Sequence, residues 1–202
     1  MKVDTLPIGL YEENIYILHD KKQVLIIDPG RNASYIRKFI GDDETVQGIL
    51  LTHGHDDHVG AADDLAEYYH CDIYLHDSDR QLTDPKKSDK YMFGSPVYTP
   101  VKGFEKEMQI GAFSLKVYHT PGHTEGSVCI RYRNVLFSGD TLFAGSIGRT
   151  DLFSGDDAKM IASLKMLVTL PQDLTVYPGH GPSTSIGQEI RSNPYLHYYS
   201  II

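Results

Sequence analysis

The chain has 202 residues, 41% of them apolar and 23% charged, which is typical of a globular protein with a sizeable core. Its formal net charge of −8 argues against binding to the phosphate backbone of a nucleic acid. Because no apolar run could cross a bilayer and the N-terminus lacks the apolar stretch of a signal peptide, we expect a cytoplasmic protein without a membrane partner.

Short apolar runs rich in Val, Ile and Tyr predict eight strands. In chain order, these runs are residues 14–18, 23–28, 47–52, 72–77, 113–120, 127–133, 134–140 and 174–179. Helical patterns occupy residues 33–40, 59–70, 156–170 and 187–196, the last of them interrupted by Pro194. The polar segment at residues 78–103 contains Pro and Gly and predicts a loop or lid with little regular structure. Because strands follow one another both directly and through helices, the pattern predicts an α/β protein with two packed mixed sheets and outer helices.

The stretch THGHDDHVG, residues 52–60, places three histidines and two aspartates within six positions, directly after an apolar run. Neutral imidazole and carboxylate groups are good ligands for zinc and iron. His53 and His55 can reach one metal ion from an extended or turn backbone, while Asp57 and His58, immediately before the predicted helix, can reach a second position. The stretch therefore predicts a metal centre at a helix N-terminus, where the helix dipole favours the carboxylate.

Three further candidate ligands each follow a predicted strand. They are His123 in HTPGHT, Asp140 in SGDT and His180 in PGHG. A strand end followed by a glycine turn can present a rigid ligand to a shared cleft, so these residues support the same metal centre. The two cysteines, Cys71 and Cys129, are far apart and form no CxxC pattern, so we expect both to be reduced core side chains.

The same motifs resemble the metallo-β-lactamase superfamily and, within it, the glyoxalase II-like branch. Besides THGHDDHVG, the matching stretches are IIDPG (26–30), HTPGHTEGSV (119–128), LFSGDTLF (136–143), SIGRTDL (146–152) and VYPGHGPST (176–184), so the resemblance runs nearly end to end. It implies a four-layered αββα sandwich, formed by one domain over residues 1–202, with a dinuclear metal site on its edge.

The resemblance also implies roles for individual residues. His53, His55 and His123 would hold one metal ion, Asp57, His58 and His180 would hold the other, and Asp140 would bridge the two. Asp28, in the DPG turn, resembles a carboxylate that steadies a ligand histidine through its second ring nitrogen, although an ordinary turn aspartate would have the same sequence context. We expect two divalent ions, zinc in first place, with iron or manganese as the alternatives.

The activity that the resemblance implies is the hydrolysis of thioesters such as S-lactoylglutathione. Two divalent ions that share one water would produce a metal-bridging hydroxide as the nucleophile, with Asp57 helping to orient it. One alternative is a persulfide dioxygenase that uses a single iron held by two histidines and one aspartate. The other is a metal-binding superfamily member with another hydrolytic or non-catalytic role. A β-lactamase is disfavoured, because enzymes of that kind generally lack an aspartate at the position of Asp140.

The remaining predictions concern the substrate and the partners. Arg149, in the turn GSIGRTD, is the candidate contact for a carboxylate on a small-molecule thioester, and the alternative is a buried structural pair with Asp151 or another carboxylate. The short segment after His180 resembles the short glyoxalase II-like hydrolases, which lack the C-terminal helical domain that grips glutathione. We therefore expect inefficient hydrolysis of S-lactoylglutathione, comparable use of small thioesters, and a monomer or small homo-oligomer.

Overall fold

Two six-stranded sheets form the centre of the protein in its computed structural model, which describes residues 1–9 and 12–202. In spatial order, the first sheet contains β1 (Lys2–Ile8), β2 (Glu13–Asp20), β3 (Gln23–Ile27), β4 (Thr45–Leu50), β5 (Ile73–Tyr74) and β6 (Val101–Lys102). The second contains β7 (Glu107–Ile110), β8 (Phe113–His119), β9 (Val128–Tyr132), β10 (Val135–Gly139), β13 (Thr175–Pro178) and β14 (Thr184–Ser185). Between β10 and β13 the chain forms a separate hairpin from β11 (Leu142–Phe143) and β12 (Ser146–Ile147).

Both sheets are mixed, as the sequence predicts. In the first sheet, β1, β2 and β3 are antiparallel neighbours, and the strands from β3 to β6 run parallel. In the second sheet, β10 and β13 form a parallel pair, and the other neighbours are antiparallel. The parallel pairs bring the carboxyl ends of neighbouring strands to the same edge of each sheet.

Strand β2 shows why the chain folds in layers, because all eight of its residues are buried. Successive side chains of a strand point to opposite faces of the sheet. Ile15 and Ile17 accordingly pack in one apolar cluster, whereas Tyr16 and Leu18 pack in another. A strand covered on both faces needs a layer on each side, so helices cover one face of this sheet and the second sheet covers the other.

Helices cover the two outer faces of the paired sheets. The α-helices of the described residues are α1 (Ala33–Ile36), α2 (Asp56–Val59), α3 (Ala62–Tyr69), α4 (Arg80–Thr83), α5 (Asp157–Leu167), α6 (Ile186–Ser192) and α7 (Pro194–Tyr198). Apolar side chains of α1 and α3 pack on the first sheet, and those of α5, α6 and α7 pack on the second. The predicted αββα sandwich is therefore confirmed. Across the residues that the structure describes, no helix is long and apolar enough to pass through a membrane.

The predicted helix at residues 59–70 is wrong at its start, because the chain forms two separate helices, α2 and α3. Between them, the backbone N–H of Ala61 donates to the carbonyl oxygen of Pro29 at 2.9 Å. This contact with the DPG turn, which sequence periodicity cannot anticipate, diverts the chain between the two helices. As a result, Asp57 and His58 lie within α2 and not before a helix.

Residues 78–103 have little regular structure, as the sequence predicts, but the segment is packed against the rest of the protein. The segment contains α4, a 3-10 helix at Ser88–Lys90 and strand β6. Leu82 and Val97 from this segment are buried. Isolated apolar residues in a polar segment have no periodicity, so their burial was not evident from the sequence. The segment is a packed wall of the protein beside the strand ends described next.

Candidate metal centre

All seven predicted metal ligands lie where strands end. His53, His55, Asp57 and His58 follow β4 of the first sheet, whereas His123, Asp140 and His180 follow β8, β10 and β13 of the second sheet. The structure brings these side chains together, although they are up to 127 positions apart (180 minus 53). A strand end is held by its ladder of hydrogen bonds, so each ligand starts from a rigid point.

The first group consists of His53, His55 and His123, whose three rings are buried. One ring nitrogen from each of them lies within 4.8 Å of the others, the separation expected for ligands of one ion. The ring centroids of His53 and His55 are 4.8 Å apart, and Nδ1 of His55 lies 3.0 Å from Nε2 of His123. These three imidazoles could therefore hold one cation.

The second group consists of Asp57, His58 and His180, whose ligand atoms also lie within 4.8 Å of one another. Asp140 lies between the two groups. Its Oδ2 is 3.5 Å from Nε2 of His123 and 3.5 Å from Nε2 of His180, and its Oδ1 is 3.5 Å from Nε2 of His58. A carboxylate that reaches members of both groups has the position that a bridging ligand needs.

Four buried polar atoms of the candidate ligand residues favour a bound cation. Within the described part of the chain, Nε2 of His53, His55 and His58 and Oδ1 of Asp140 are buried without a hydrogen-bond partner. Buried polar atoms in proteins almost always have such a partner. Imidazole nitrogens and carboxylate oxygens are suitable ligands for zinc, iron and manganese, so the donor set fits a pair of divalent ions.

The protonation states of the site also suit metal binding. Burial lowers the pKa of His55 to about 3 and holds that of His53 well below its usual range, and neighbouring imidazoles act in the same direction. Both rings are therefore neutral at neutral pH, the form that binds metal ions. Burial would raise the pKa of Asp140, but the surrounding imidazoles, led by His58, hold it well below its usual range. Burial would likewise lower the pKa of His58, but Asp140 and Asp28 outweigh it and raise that pKa to about 10, and a bound cation would displace this proton.

Asp28 lies beside a ligand histidine, His58, as the resemblance implies. Its Oδ2 is 3.1 Å from Nδ1 of His58 and accepts a hydrogen bond from Oγ1 of Thr52 at 2.7 Å, while its Oδ1 accepts one from the backbone N–H of Thr52 at 2.7 Å. The Asp28 backbone has a left-handed φ of 50°, which is strained for a residue with a side chain. A carboxylate in this position orients the ring of His58 so that Nε2 faces the other ligands.

His180 is positioned by a residue that the sequence did not indicate. The side-chain amide of Asn14, at the start of β2, donates to the carbonyl oxygens of Pro178 at 3.1 Å and Gly181 at 2.7 Å. Its backbone N–H also donates to the carbonyl oxygen of Gly179 at 2.7 Å. Asn14 is thus bonded to the chain on both sides of His180. A polar Asn at the start of the run NIYIL, residues 14–18, was the available signal, because buried side-chain amides need partners.

A cleft of about 480 Å³ opens beside the ligands. Four apolar side chains form part of its lining, Phe93, Phe143, Ile147 and Leu152, and two cationic residues, Arg31 and Arg149, also line it. The cleft therefore combines an apolar wall with positive charge next to the candidate metal centre. Such a combination suits a ligand that has both an apolar group and an anionic group.

Arg149 forms the predicted pair with Asp151, but the pair is not buried. Its Nε and Nη2 donate to the two carboxylate oxygens of Asp151 at 2.6 and 2.8 Å, and the side chains are 57% and 67% exposed. The alternative of a buried structural pair is therefore wrong. The carbonyl oxygen of Arg149 instead accepts a hydrogen bond from Nδ1 of His123 at 2.7 Å, which leaves Nε2 of that ring free to face the ligands.

Comparison with known proteins gives a consistent family. The family model described as the metallo-beta-lactamase superfamily matches residues 8–180. The probable metallo-hydrolase YqgX of Bacillus subtilis (strain 168) is 36% identical, and the alignment covers 100% of this chain and 100% of YqgX. The hydroxyacylglutathione hydrolase GloC of Haemophilus influenzae (strain Rd) is 36% identical, with 97% of this chain and 98% of GloC covered.

Solved structures with similar folds point the same way. The BLEG-1 B3 metallo-beta-lactamase has a TM-score of 0.87 and 40% identity, covering 96% of this chain and 99% of that chain. TTHA1623, solved in a di-iron-bound form, has a TM-score of 0.83 and 37% identity, with 96% and 100% covered. ETHE1 from Myxococcus xanthus has a TM-score of 0.80 and 27% identity, with 96% and 84% covered. The likeness extends over the whole sandwich and not only over the motifs.

Proposed function

The chain belongs to the metallo-beta-lactamase superfamily, and from that premise we propose that it is a metal-dependent hydrolase that cleaves thioesters. The observation that carries the proposal is the cluster of seven ligand-type side chains beside a cleft with an apolar wall. The name of the relative GloC, a hydroxyacylglutathione hydrolase, supports a thioester in particular.

Two divalent ions fit the ligands present. His53, His55 and His123 would hold one, Asp57, His58 and His180 would hold the other, and Asp140 would contact both. When bound, the ions would lower the pKa of a shared water and polarise the carbonyl group of the substrate. Zinc is the first expectation, and the di-iron form of TTHA1623 supports iron as well.

Asp57 is the residue that we propose to orient the attacking water. Its side chain lines the cleft and is 21% exposed, about as much as that of His180, whereas the other ligand histidines are buried. Burial would raise its pKa, but a hydrogen bond from His180 and the charge of His58 outweigh burial and lower it. The Asp57 carboxylate is therefore ionised at neutral pH and can accept a hydrogen bond from water in the cleft.

The lining of the cleft suggests how a thioester would bind. The apolar side chains of Phe93, Phe143 and Leu152 can receive an acyl group, because burying apolar surface there is favourable. Arg31 and Arg149 can meet a carboxylate on the thiol part of the substrate. We expect the substrate to be a small molecule, with no nucleic acid or membrane involved, and the protein to be a monomer or a small homo-oligomer in the cytoplasm.

Two other activities belong in the same test. The name of BLEG-1, a B3 metallo-beta-lactamase that is 40% identical, supports β-lactam hydrolysis as a second candidate. A persulfide dioxygenase with a single iron remains the redox alternative, and the similarity to ETHE1 is compatible with it. The β-lactamase differs from the thioester hydrolase in the bond that it cleaves, and the dioxygenase differs in its single iron and its oxygen uptake, so each activity has its own signature.

The experiment combines elemental analysis of the purified protein with a panel of four substrates. The panel contains S-lactoylglutathione, a small acyl thioester without glutathione, a cephalosporin and glutathione persulfide, the last with oxygen uptake recorded. We expect close to two divalent ions per chain and turnover of both thioesters. A metal-loaded protein that cleaves only the cephalosporin, or that consumes oxygen with the persulfide, would contradict the proposal.

The variant Asp140→Ala supplies the inactive control for that panel. A carboxylate that contacts both ligand groups should hold both ions, so we expect metal and thioester hydrolysis to be lost together. Asp56→Asn is the matched comparison for metal content, because Asp56 is an aspartate that lines the same cleft but belongs to neither ligand group. Retention of both ions in Asp140→Ala would show that Asp140 does not bridge them.

A further inference from the structure

Asp79 is a buried carboxylate that no ligand position explains. It has no exposed surface and lies at the end of the 3-10 helix Asp77–Asp79, within the segment expected to be an irregular loop. Its Oδ2 accepts hydrogen bonds from the backbone N–H of Gly54 at 2.9 Å and from Oγ1 of Thr124 at 2.7 Å. Its Oδ1 accepts one from the backbone N–H of Gly126 at 2.7 Å. One side chain therefore receives three hydrogen bonds.

The donors belong to the two loops that carry the first ligand group. Gly54 lies between His53 and His55, and Thr124 directly follows His123. The two loops come from different sheets and are about seventy positions apart, and this carboxylate bonds to both of them. The distances among the three imidazoles depend on how these loops are held relative to each other.

The backbone of both ligand loops packs closely against Asp79 and its neighbours. A Cβ added at Gly126 would lie 2.6 Å from Cγ of Asp79, and one added at Gly54 would lie 2.9 Å from Cβ of Leu82, one helical turn further on. The segment at residues 78–103 accepts one more hydrogen bond. The backbone N–H of Asp56, next to the ligand Asp57, donates to the carbonyl oxygen of Phe93 at 2.8 Å. Both ligand loops are therefore in direct contact with the segment that contains Asp79.

A carboxylate at this buried position is not the most favourable choice for folding alone. Burial raises the pKa of Asp79, and the hydrogen bonds from Thr124, Gly126 and Gly54 act against it without cancelling it. A buried charge costs folding free energy that a neutral side chain would avoid. Only a carboxylate, however, presents acceptors on both oxygens to all three donors.

We propose that Asp79 is the positioning residue for the cation site formed by His53, His55 and His123, holding the two ligand loops at the separation that one ion requires. The inference rests on the metal centre of the proposed function but not on its substrate. Partners that orient metal ligands from outside the ligand shell commonly change metal affinity by about 10- to 100-fold when they are removed. Asp79 bonds to neighbours of His53, His55 and His123 but to no residue next to Asp57, His58 or His180, so its effect should be confined to one of the two ions.

The test is a zinc titration of metal-free protein against a competing chelating dye, with no substrate present. In Asp79→Asn, one acceptor oxygen becomes an NH2 group that faces a donor. We expect one of the two zinc affinities to weaken by about 10- to 100-fold and the other to stay within about twofold of the unaltered protein. Anomalous diffraction at the zinc edge should then show the weakened ion among His53, His55 and His123.

Asp63→Asn is the matched control. The Asp63 carboxylate also accepts two backbone hydrogen bonds from the same segment, from Tyr98 and Thr99 at 2.8 Å each, but it touches neither ligand loop. We expect a lower Tm with both zinc affinities unchanged. Equal weakening of both ions in Asp79→Asn, unchanged affinities in that variant, or the same loss in Asp63→Asn would overturn the proposal.

A second variant covers the case in which Asp79→Asn does not fold. Thr124→Val keeps the shape of the side chain and removes one donor to Asp79, so we expect a smaller loss at the same ion. Unchanged zinc binding in folded Thr124→Val would then count against the proposal. Because zinc binding is measured without turnover, a protein that cleaves no thioester but shows the selective loss would refute the proposed substrate and leave the role of Asp79 intact.

Discussion

The backbone and the side chain of Arg149 have different roles. Its carbonyl oxygen accepts a hydrogen bond from the ring of His123, while its guanidinium extends to Asp151 at the edge of the cleft. An exposed ion pair contributes little to folding stability, because water and salt screen it. The guanidinium is therefore available to an anionic substrate, and only the backbone of the residue supports the ligands.

Replacing the Arg149 side chain should consequently affect binding and not stability. In Arg149→Ala, we expect the KM for a thioester that bears a carboxylate to rise by roughly tenfold, with metal content and Tm unchanged. Steady-state kinetics on metal-loaded protein would measure the change. Arg80→Ala, which removes a comparable exposed pair with Asp77, should leave the KM unchanged. If Arg149→Ala loses metal or stability and keeps its KM, the side chain has a structural role after all.

At the scale of elements, the site depends on where strands of two different sheets end. The parallel pair of β10 and β13 places Asp140 and His180 at the same edge of the second sheet. The first sheet reaches the same point through the start of β2, where Glu13 forms an isolated bridge with His180 and Asn14 bonds to the chain on either side of it. The amide of Asn14 therefore connects one sheet to a ligand loop of the other.

The contribution of that connection can be measured with a pair of asparagine variants. Asn14→Ala leaves the carbonyl oxygens of Pro178 and Gly181 without this donor, so we expect a loss of about 1–3 kcal/mol in the free energy of unfolding. We also expect weaker binding of the ion held by His180. Asn193 is buried too and donates to the carbonyl oxygen of Ser146, away from the site. Asn193→Ala should lower stability with metal content intact, and an equal metal loss in both variants would contradict the argument.

At the scale of the whole molecule, the cores and the candidate metal centre are separate. One apolar cluster lies between the first sheet and its helices, one lies between the two sheets, and one lies between the second sheet and its helices. These clusters consist of apolar side chains contributed mainly by the strands and helices, whereas the candidate ligands follow the ends of the strands. The sandwich should therefore be stable through hydrophobic burial, with bound metal adding to that stability.

Removal of metal should accordingly lower the Tm without unfolding the protein. Each ion that binds only the folded site stabilises it by about 2.7 kcal/mol at a free concentration 100 times its Kd. For a chain of this size, each ion should therefore raise the Tm by roughly 5–10 °C. Thermal denaturation with zinc and with a chelator would measure the difference, while far-UV circular dichroism at 25 °C should stay the same. The Asp140→Ala variant should show almost no zinc-dependent shift, and unfolding by the chelator alone would contradict this separation of core and site.

The sequence by itself determined the features that depend on near neighbours along the chain. Short apolar runs predicted β2 and β3, and glycine turns after apolar runs marked His123, Asp140 and His180 as candidate ligands. Ligand-type residues crowded into residues 52–60 indicated the metal centre, because so many imidazoles and carboxylates have no use in an ordinary loop. These signals are local, so they could be recognised before the chain was folded.

Only the tertiary structure decided the features that depend on distant partners. Asp79 bonds to a residue 47 positions away and Asn14 to one 164 positions away, and a single Asp or Asn in a sequence gives no sign of such a partner. The division between α2 and α3 arises from a contact with Pro29, and the exposure of the Arg149 pair follows from its place at the edge of the cleft. Sequence periodicity reports which face of an element is apolar, whereas the hydrogen-bond partner of a buried polar group is known only once the layers have packed against each other.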